Sequence, residues 1–101
     1  VMALHSQGEV IYYDFCGIVP DGTEEYLSEF ERVSRYRRDV AVGSAAYGGF
    51  KDWFIKKFRR PGFTVEIGLG ENPLPLSDFD SIYKDVFPIL EALCFTNPEQ
   101  K

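Results

Sequence analysis

Segments with the composition of β-strands alternate along this chain with segments of helical periodicity, and this alternation restricts the fold more than any other feature. Strands are predicted where β-branched and aromatic residues cluster, at residues 1–5, 10–15 and 63–68, with a short extended piece at 39–42. Apolar residues recur at helical spacing through residues 26–37, 50–60 and 79–93. The order of these segments predicts an α/β fold in which helices cover a mixed sheet.

Local signals predict where the helices begin and end. Small polar residues at 21–23 are candidates for the N-cap of the first helix, and Ser77 is the candidate for the last. Pro61 and Gly62 end the second helix, because proline does not continue one. Pro88 falls inside the last helix, where we expect a kink.

The length and charge of the chain limit its organisation and its partners. With 101 residues, of which 45% are hydrophobic and 16% aromatic, we expect residues 1–101 to form a single domain. The net charge of −5 argues against nucleic acid as a partner, since that affinity depends on Lys and Arg. The short basic clusters at 35–38 and 56–60 are interpreted as solvated helix ends. No apolar run reaches the roughly twenty residues of a membrane span, so no membrane partner is expected.

The chain begins with an apolar run whose composition is that of the interior of a β-strand. We therefore expect a fragment of a larger catalytic domain. Loss of neighbouring strands would expose apolar side chains such as Val1, Ala3 or Ile11, and we expect self-association through the N-terminal strands. The two cysteines, Cys16 and Cys94, are too few for a disulfide framework and are expected to pack as small hydrophobic residues.

One histidine and one carboxylate are the strongest candidates for chemistry. His5 is the only histidine, at the end of the first strand, and is interpreted either as a ligand or as a structural residue. Glu66 lies between apolar residues of a strand, where an unpaired acid is unfavourable. It is therefore a functional carboxylate, or it faces solvent on an edge strand, or it pairs with an Arg. A zinc hydrolase would use such residues as ligand and general base.

Three stretches, taken in order and spacing, carry a resemblance to a known family. HSQGEVIY at 5–12, GGFKDW at 48–53 and FTVEIG at 63–68 resemble the C-terminal third of carboxypeptidase A-like zinc metallopeptidases. The segment GLGENPLPL at 68–76 is more similar to the bacterial branch that includes γ-D-glutamyl-L-diamino acid endopeptidases, which cut peptidoglycan stem peptides. The resemblance covers essentially the whole chain.

The resemblance implies roles for six residues. The last zinc ligand of the family falls on His5, and its general base falls on Glu66. Ser6 follows the ligand and is expected to help hold substrate. The position of a mobile substrate-binding tyrosine falls on Ser44 by strict spacing, while the nearest tyrosine is Tyr47.

The sixth residue is Lys51, which falls on the family's specificity position. A cation there would suit a substrate side chain ending in a carboxylate, such as diaminopimelate. The alternative interpretation is a solvated helix residue.

The expected function is that of the C-terminal part of a bacterial zinc peptidase acting on γ-D-glutamyl-diaminopimelate bonds, either in the cytoplasm or at the cell wall. The alternatives are an ordinary zinc carboxypeptidase and a non-catalytic interaction module. The family's His-x-x-Glu ligand pair is missing from these residues, as are its substrate-binding arginines. Since a catalytic zinc needs about three protein ligands, we expect the chain alone to hold no complete zinc site and to be inactive.

Overall fold

A computed structural model describes residues 1–98 of the chain. Its strands are β1 (Met2–Ser6), β2 (Val10–Tyr12), β3 (Arg37–Asp39) and β4 (Phe63–Ile67). Its α-helices are α1 (Thr23–Val33), α2 (Phe50–Phe58) and α3 (Phe79–Phe95). Short 3₁₀ turns occupy Gly43–Ala46 and Leu76–Asp78. The order of elements along the chain is the predicted one.

The strands form one mixed sheet in the order β1-β4-β2-β3. The last strand in sequence, β4, lies inside the sheet, parallel to β1 on one side and antiparallel to β2 on the other. The edge strand β3 runs parallel to β2. The predicted α/β class with a mixed sheet is therefore confirmed.

The main core lies between the sheet and the two helices α1 and α3. Alternate residues of β4, Phe63 and Val65, are fully buried, because side chains along a strand point alternately to opposite faces. They share one cluster with buried residues of the helices, of the neighbouring strand β2 and of the segment between α1 and β3: Ile11, Leu27, Phe30, Tyr36, Val86 and Ile89. Ile11 therefore belongs to the core, and its expected exposure at a cut edge is wrong.

The first helix ends earlier than its apolar spacing suggests. The Ser34 hydroxyl donates a hydrogen bond to the Phe30 carbonyl at 2.7 Å and accepts one from the Tyr36 backbone N–H at 3.2 Å. Such local side-chain bonds compete with helical ones. Tyr36 leaves the helix, is buried, and accepts the Gly68 N–H with its hydroxyl at 3.1 Å. The next strand, β3, consequently begins before the predicted piece at 39–42.

The N-cap of α1 lies within the predicted range but lacks a capping side chain, and the prediction of Ser77 as the N-cap of the last helix is wrong. Helix α1 begins after Gly22, which adopts a left-handed conformation and has no side chain to cap the helix. Ser77 lies in a 3₁₀ turn that runs into α3, which begins at Phe79. Pro88 lies inside α3, as expected. No helix among residues 1–98 is long and apolar enough to cross a membrane.

Two arginines of the basic cluster at 35–38, Arg35 and Arg38, form ion pairs with acids, while Arg37 is exposed. Arg38, in β3, bridges Glu24 at 2.6 Å and Glu31 at 2.7 Å, both on α1. Hydrogen bonding to Arg38 lowers the pKa of both glutamates. Arg35 bonds Glu9 and Asp85, each at 2.9 Å.

The cysteines also differ from expectation. Cys16 and Cys94 are both exposed, so neither packs as a small hydrophobic residue. Cys16 follows the end of β2 in a tight turn and has a positive φ of 48°. Cys94 lies near the end of α3, away from the buried stripe of Val86 and Ile89.

Strand β1 forms an edge of the sheet beside an apolar groove of about 460 Å³ between β1, the loop at 73–76 and α3. Several large apolar side chains on or near this edge are exposed, including Leu4 at 44%, Leu76 at 92% and Phe79 at 60%. Unpaired backbone groups next to exposed apolar surface favour pairing with another chain. The edge thus retains the features on which the expected self-association depends.

We predict that the chain self-associates through β1. Replacement of Leu4 by Lys should weaken the association, because a charge on an edge strand opposes pairing with a second strand. Sedimentation velocity at micromolar concentration checks this. Val19→Lys, at a residue that is 49% exposed and outside the sheet, is the matched control. A monomeric parent chain, or equal dissociation by both variants, would contradict the prediction.

Candidate active site

The strand register places the predicted ligand and the predicted base side by side. His5 in β1 is the direct neighbour of Glu66 in the parallel strand β4. Each is the last residue but one of its strand. Neighbouring residues of adjacent strands point to the same face of a sheet, so the side chains of His5 and Glu66 leave on one side. His5 is exposed and Glu66 is half-buried.

This face is the one opposite the main core. Within β4 the buried residues Phe63 and Val65 alternate with Thr64 and Glu66, so Glu66 points away from α1 and α3. Two features of this geometry bear on the conservative interpretations of Glu66, which is half-buried. Because β4 is paired on both sides, Glu66 does not lie on an edge strand. The ion pairs found among residues 1–98 do not include Glu66, which therefore has no Arg partner there.

A tight turn after β1 lies against Glu66. The Gly8 N–H donates to the Gly68 carbonyl at 2.8 Å, which ties the turn to the end of β4. Gly8 has a φ of 147°, and a Cβ at this position would stand 3.7 Å from Glu66 Cβ. Glycine is favoured at this position because of its backbone conformation, since a Cβ at 3.7 Å would make only ordinary contact with Glu66.

Ser6 is bound to a residue that the sequence analysis did not single out. Its hydroxyl donates to Asn72 Oδ1 at 2.7 Å, and Asn72 Nδ2 donates to the Ser6 backbone oxygen at 3.1 Å. This pair of bonds fastens the Gly- and Pro-rich loop to the end of β1. The sequence shows an Asn within the 68–76 loop, but no local pattern indicates that this residue bonds to a residue of β1.

Ser44 and Tyr47 lie in a separate loop. Ser44 is exposed in the turn Gly43–Ala46, and Tyr47 follows it with 64% of its surface exposed. The Tyr47 ring contacts Phe15 edge-on, at 6.2 Å between centroids. Hydrogen bonding to the Cys16 thiol raises the pKa of Tyr47. No hydrogen bond found among residues 1–98 joins this loop to His5 or Glu66.

Lys51 is neither solvated nor free. It is 4% exposed, and its Nζ donates to Asp52 Oδ1 at 2.6 Å and to the Asp14 backbone oxygen. The solvated-helix interpretation of Lys51 is therefore wrong. Asp52 is also buried, and its Oδ2 accepts the Gly49 N–H at 3.1 Å at the start of α2. The sequence places Asp52 next to Lys51 but does not show that both are enclosed.

The described residues do not form a complete metal site. Among residues 1–98, no group of at least three His, Cys, Asp or Glu side chains is placed to hold an ion. A catalytic zinc takes about three protein ligands, and His5 supplies one nitrogen donor of the right type. The fit to zinc is thus partial, and the remaining ligands would have to come from residues other than these.

Comparison with known proteins supports a relationship to peptidases. No protein-family model matches the chain. It is 49% identical over 92 residues to Gamma-D-glutamyl-L-diamino acid endopeptidase 1 of Lysinibacillus sphaericus, a match that covers 91% of the chain and 23% of that protein. It is 40% identical over 95 residues to Uncharacterized protein YqgT of Bacillus subtilis (strain 168), covering 94% of the chain and 25% of that protein.

The chain therefore spans about a quarter of the length of these curated relatives. The first match bears out the predicted closeness to a γ-D-glutamyl-L-diamino acid endopeptidase. The wider resemblance to zinc carboxypeptidases stays a prediction, as do the roles of the individual site residues.

We predict that Lys51→Met destabilises the chain by about 3–5 kcal/mol, because removal of one partner leaves a buried carboxylate unpaired. Urea denaturation followed by circular dichroism measures the change. The double variant Lys51→Met/Asp52→Asn should recover part of the loss, since it removes the orphaned charge as well. Lys84→Met, on an exposed part of α3, is the control and should change stability by no more than about 0.5 kcal/mol. Equal stability of Lys51→Met and this control would contradict the prediction.

Proposed function

We propose that this chain is the C-terminal part of a zinc peptidase that hydrolyses γ-D-glutamyl-diamino acid bonds in peptidoglycan stem peptides. The observation that carries the proposal is the pairing of His5 with Glu66 at the ends of two parallel strands. It is supported by the 49% identity to a γ-D-glutamyl-L-diamino acid endopeptidase over most of the chain. The pairing supplies a nitrogen donor and a carboxylate on one face of the sheet.

His5 would provide one ligand for the metal through its imidazole, with the other ligands supplied from outside these residues. Its exposure at the end of β1 leaves the ring accessible for this. A bound zinc would polarise the scissile carbonyl and increase the acidity of the attacking water.

Glu66 would act as the general base. Its carboxylate takes a proton from the attacking water and delivers that proton to the leaving amine. Two features suit it to this role: it has no cationic partner among the described ion pairs, and its strand is fixed by pairing on both sides. A base held by a rigid strand keeps its position relative to the substrate.

Ser6 would hold the substrate beside these two residues. Its hydroxyl proton is donated to Asn72, so the serine oxygen is left as an acceptor for a substrate N–H. The exposed loop that carries Ser44 and Tyr47 would border the substrate on another side. Both roles belong to the proposal.

One observation favours a second candidate, a non-catalytic interaction module. Residues 1–98 hold no set of three side chains placed to bind a metal ion, so a catalytic metal would need ligands from elsewhere. The two candidates differ in whether a longer protein containing these residues hydrolyses peptides.

The test uses the full-length protein that contains these residues, purified with zinc. Its substrate is the tetrapeptide L-Ala-γ-D-Glu-diaminopimelate-D-Ala, and mass spectrometry identifies the products. An endopeptidase releases L-Ala-D-Glu, whereas a carboxypeptidase releases free D-Ala. We expect the first product, and we expect no hydrolysis by the 101-residue chain alone. Absence of hydrolysis by the full-length protein would support the interaction module and overturn the proposal.

We predict that Glu66→Gln lowers kcat by about 10²–10⁴-fold, the usual contribution of a general base, with zinc content unchanged. His5→Ala should instead lower the zinc content measured by atomic absorption. Glu71→Gln, at an exposed carboxylate of the neighbouring loop, is the control and should retain activity. A Glu66→Gln protein with full activity would contradict the assignment of the base.

A further inference from the structure

Helix α2 turns charged side chains inward and aromatic side chains outward. Its buried residues are Lys51, Asp52 and Ile55. On the outer side, Phe50 is 49%, Trp53 is 51% and Phe58 is 47% exposed. A surface helix ordinarily has the reverse arrangement, with its apolar stripe toward the core and its charges in solvent. The packing of this fold therefore does not account for the exposed rings of α2.

These rings form one continuous patch on the surface. The Trp53 ring lies 5.9 Å from the Phe50 ring and 5.5 Å from the Phe58 ring, measured between centroids. The half-buried Phe54 belongs to the same group, with its ring 6.5 Å from that of Phe50 and 5.0 Å from that of Phe58. Large exposed apolar patches on proteins mark sites of contact with another protein or with a membrane.

Cations without an acidic partner accompany the rings. Four basic residues lie in the last turn of α2 and just beyond it: Lys56, Lys57, Arg59 and Arg60. All four are exposed, and none takes part in an ion pair found among residues 1–98. Lys57 Nζ lies 5.8 Å from the ring centroids of both Trp53 and Phe58, so rings and positive charge share one surface. The one acid of α2, Asp52, is buried and bonded to Lys51.

The combination of exposed rings and unpaired cations favours an anionic lipid surface as the partner. Interfaces between proteins are depleted in lysine, because an ammonium group that leaves water must be desolvated. At a bilayer the two kinds of group bind at different depths. Aromatic rings enter the boundary between headgroups and acyl chains, while Lys and Arg side chains extend to the lipid phosphates. Each basic residue near an anionic leaflet adds to the affinity.

A second group of exposed rings, on α3, lacks this match. Phe79, Tyr83 and Phe87 are 60%, 53% and 43% exposed, and the Tyr83 ring contacts the other two at 5.8 and 5.4 Å between centroids. The charged residues next to Phe79 in sequence are acids, Asp78 and Asp80. An anionic surface would repel these carboxylates. Charge therefore distinguishes the two aromatic patches, although their exposure is similar.

We propose that α2 docks on the surface of a bilayer that contains anionic phospholipid. The docking face consists of the rings of Phe50, Trp53, Phe54 and Phe58 with the four basic residues at 56–60. The net charge of −5 opposes nonspecific attraction of the chain to an anionic surface, so binding depends on this face. The expectation of no membrane partner rested on the lack of a spanning run, which surface binding does not require. The inference is independent of the proposed function.

Co-sedimentation with lipid vesicles tests the proposal on the full-length protein that contains these residues. The vesicles consist of phosphatidylcholine alone or of an equal mixture with phosphatidylglycerol. We expect half of the protein to bind the mixed vesicles below about 1 mM anionic lipid, and little to bind the neutral ones. Binding should weaken at high salt, because salt screens surface charges. Equal sedimentation with both kinds of vesicle would overturn the proposal.

Two variants and two matched controls assign the binding to the α2 face. Lys57→Gln should weaken binding to the mixed vesicles about fivefold, and Trp53→Gln about tenfold. Tyr83→Gln removes a ring of nearly equal exposure from α3, and Lys84→Gln removes an exposed cation from the same helix. Both controls should bind as the parent protein does. Circular dichroism checks that each variant is folded, and the exposed Lys57 keeps the test decisive if Trp53→Gln unfolds.

Other occupants of the α2 face give different results. If a second copy covers it, Trp53→Gln dissociates an oligomer in sedimentation velocity and leaves vesicle binding unchanged. If another part of the full-length protein covers it, Trp53→Gln lowers the stability of that protein and again leaves vesicle binding unchanged. Either result overturns the proposal, as does equal binding by Lys57→Gln and Lys84→Gln. Hydrolysis of the stem peptide is measured separately, so docking and the peptidase activity can each fail alone.

Discussion

The structure depends most on the position of β4 between β1 and β2. This strand is paired on both sides, and its successive side chains point alternately to the two faces of the sheet. Phe63 and Val65 enter the core beneath α1 and α3, while Glu66 points to the opposite face. A shift of one residue in the register would bury Glu66 and expose Val65. The packing of the core and the position of Glu66 at the candidate active site therefore depend on the same register.

Much of this arrangement follows from local sequence patterns. The strands and helices were predicted in the right order because their apolar periodicities are strong, and Glu66 was recognised as the one acid within an apolar strand. The burial of Lys51 could not be predicted in this way. Its enclosure depends on the backbone oxygen of Asp14, a contact between distant parts of the chain that no local pattern encodes. The bond between Ser6 and Asn72 was missed for the same reason.

The helix ends show a second limit of sequence reasoning. Candidate capping residues at 21–23 and at Ser77 were present, yet α1 and α3 begin without a side-chain cap. A cap contributes about 1 kcal/mol, which the burial of Leu27, Phe30 and Ile89 readily outweighs. Tertiary packing therefore decides where these helices begin.

Ion pairs at the surface connect the sheet to the helices that pack against it. Arg38 joins β3 to α1, and Arg35 joins the turn before β2 to α3. Exposed pairs of this kind contribute little each. Since Arg38 lowers the pKa of Glu24 and Glu31, their contribution is present above the unfolded-state pKa of these carboxyls and is lost as the pH falls through their folded-state values.

The central position of β4 also determines the order in which the fold can be completed during synthesis. The strands on either side of it, β1 and β2, come first in the chain, and the register joins Met2 to Phe63. Until β4 leaves the ribosome, β1 and β2 lack the strand that lies between them in the sheet. Pairings over such sequence separations are slow to form because the loop must close first. Between the synthesis of β2 and that of β4, these strands therefore lack the partner that lies between them, a period in which binding by a chaperone would protect them from aggregation.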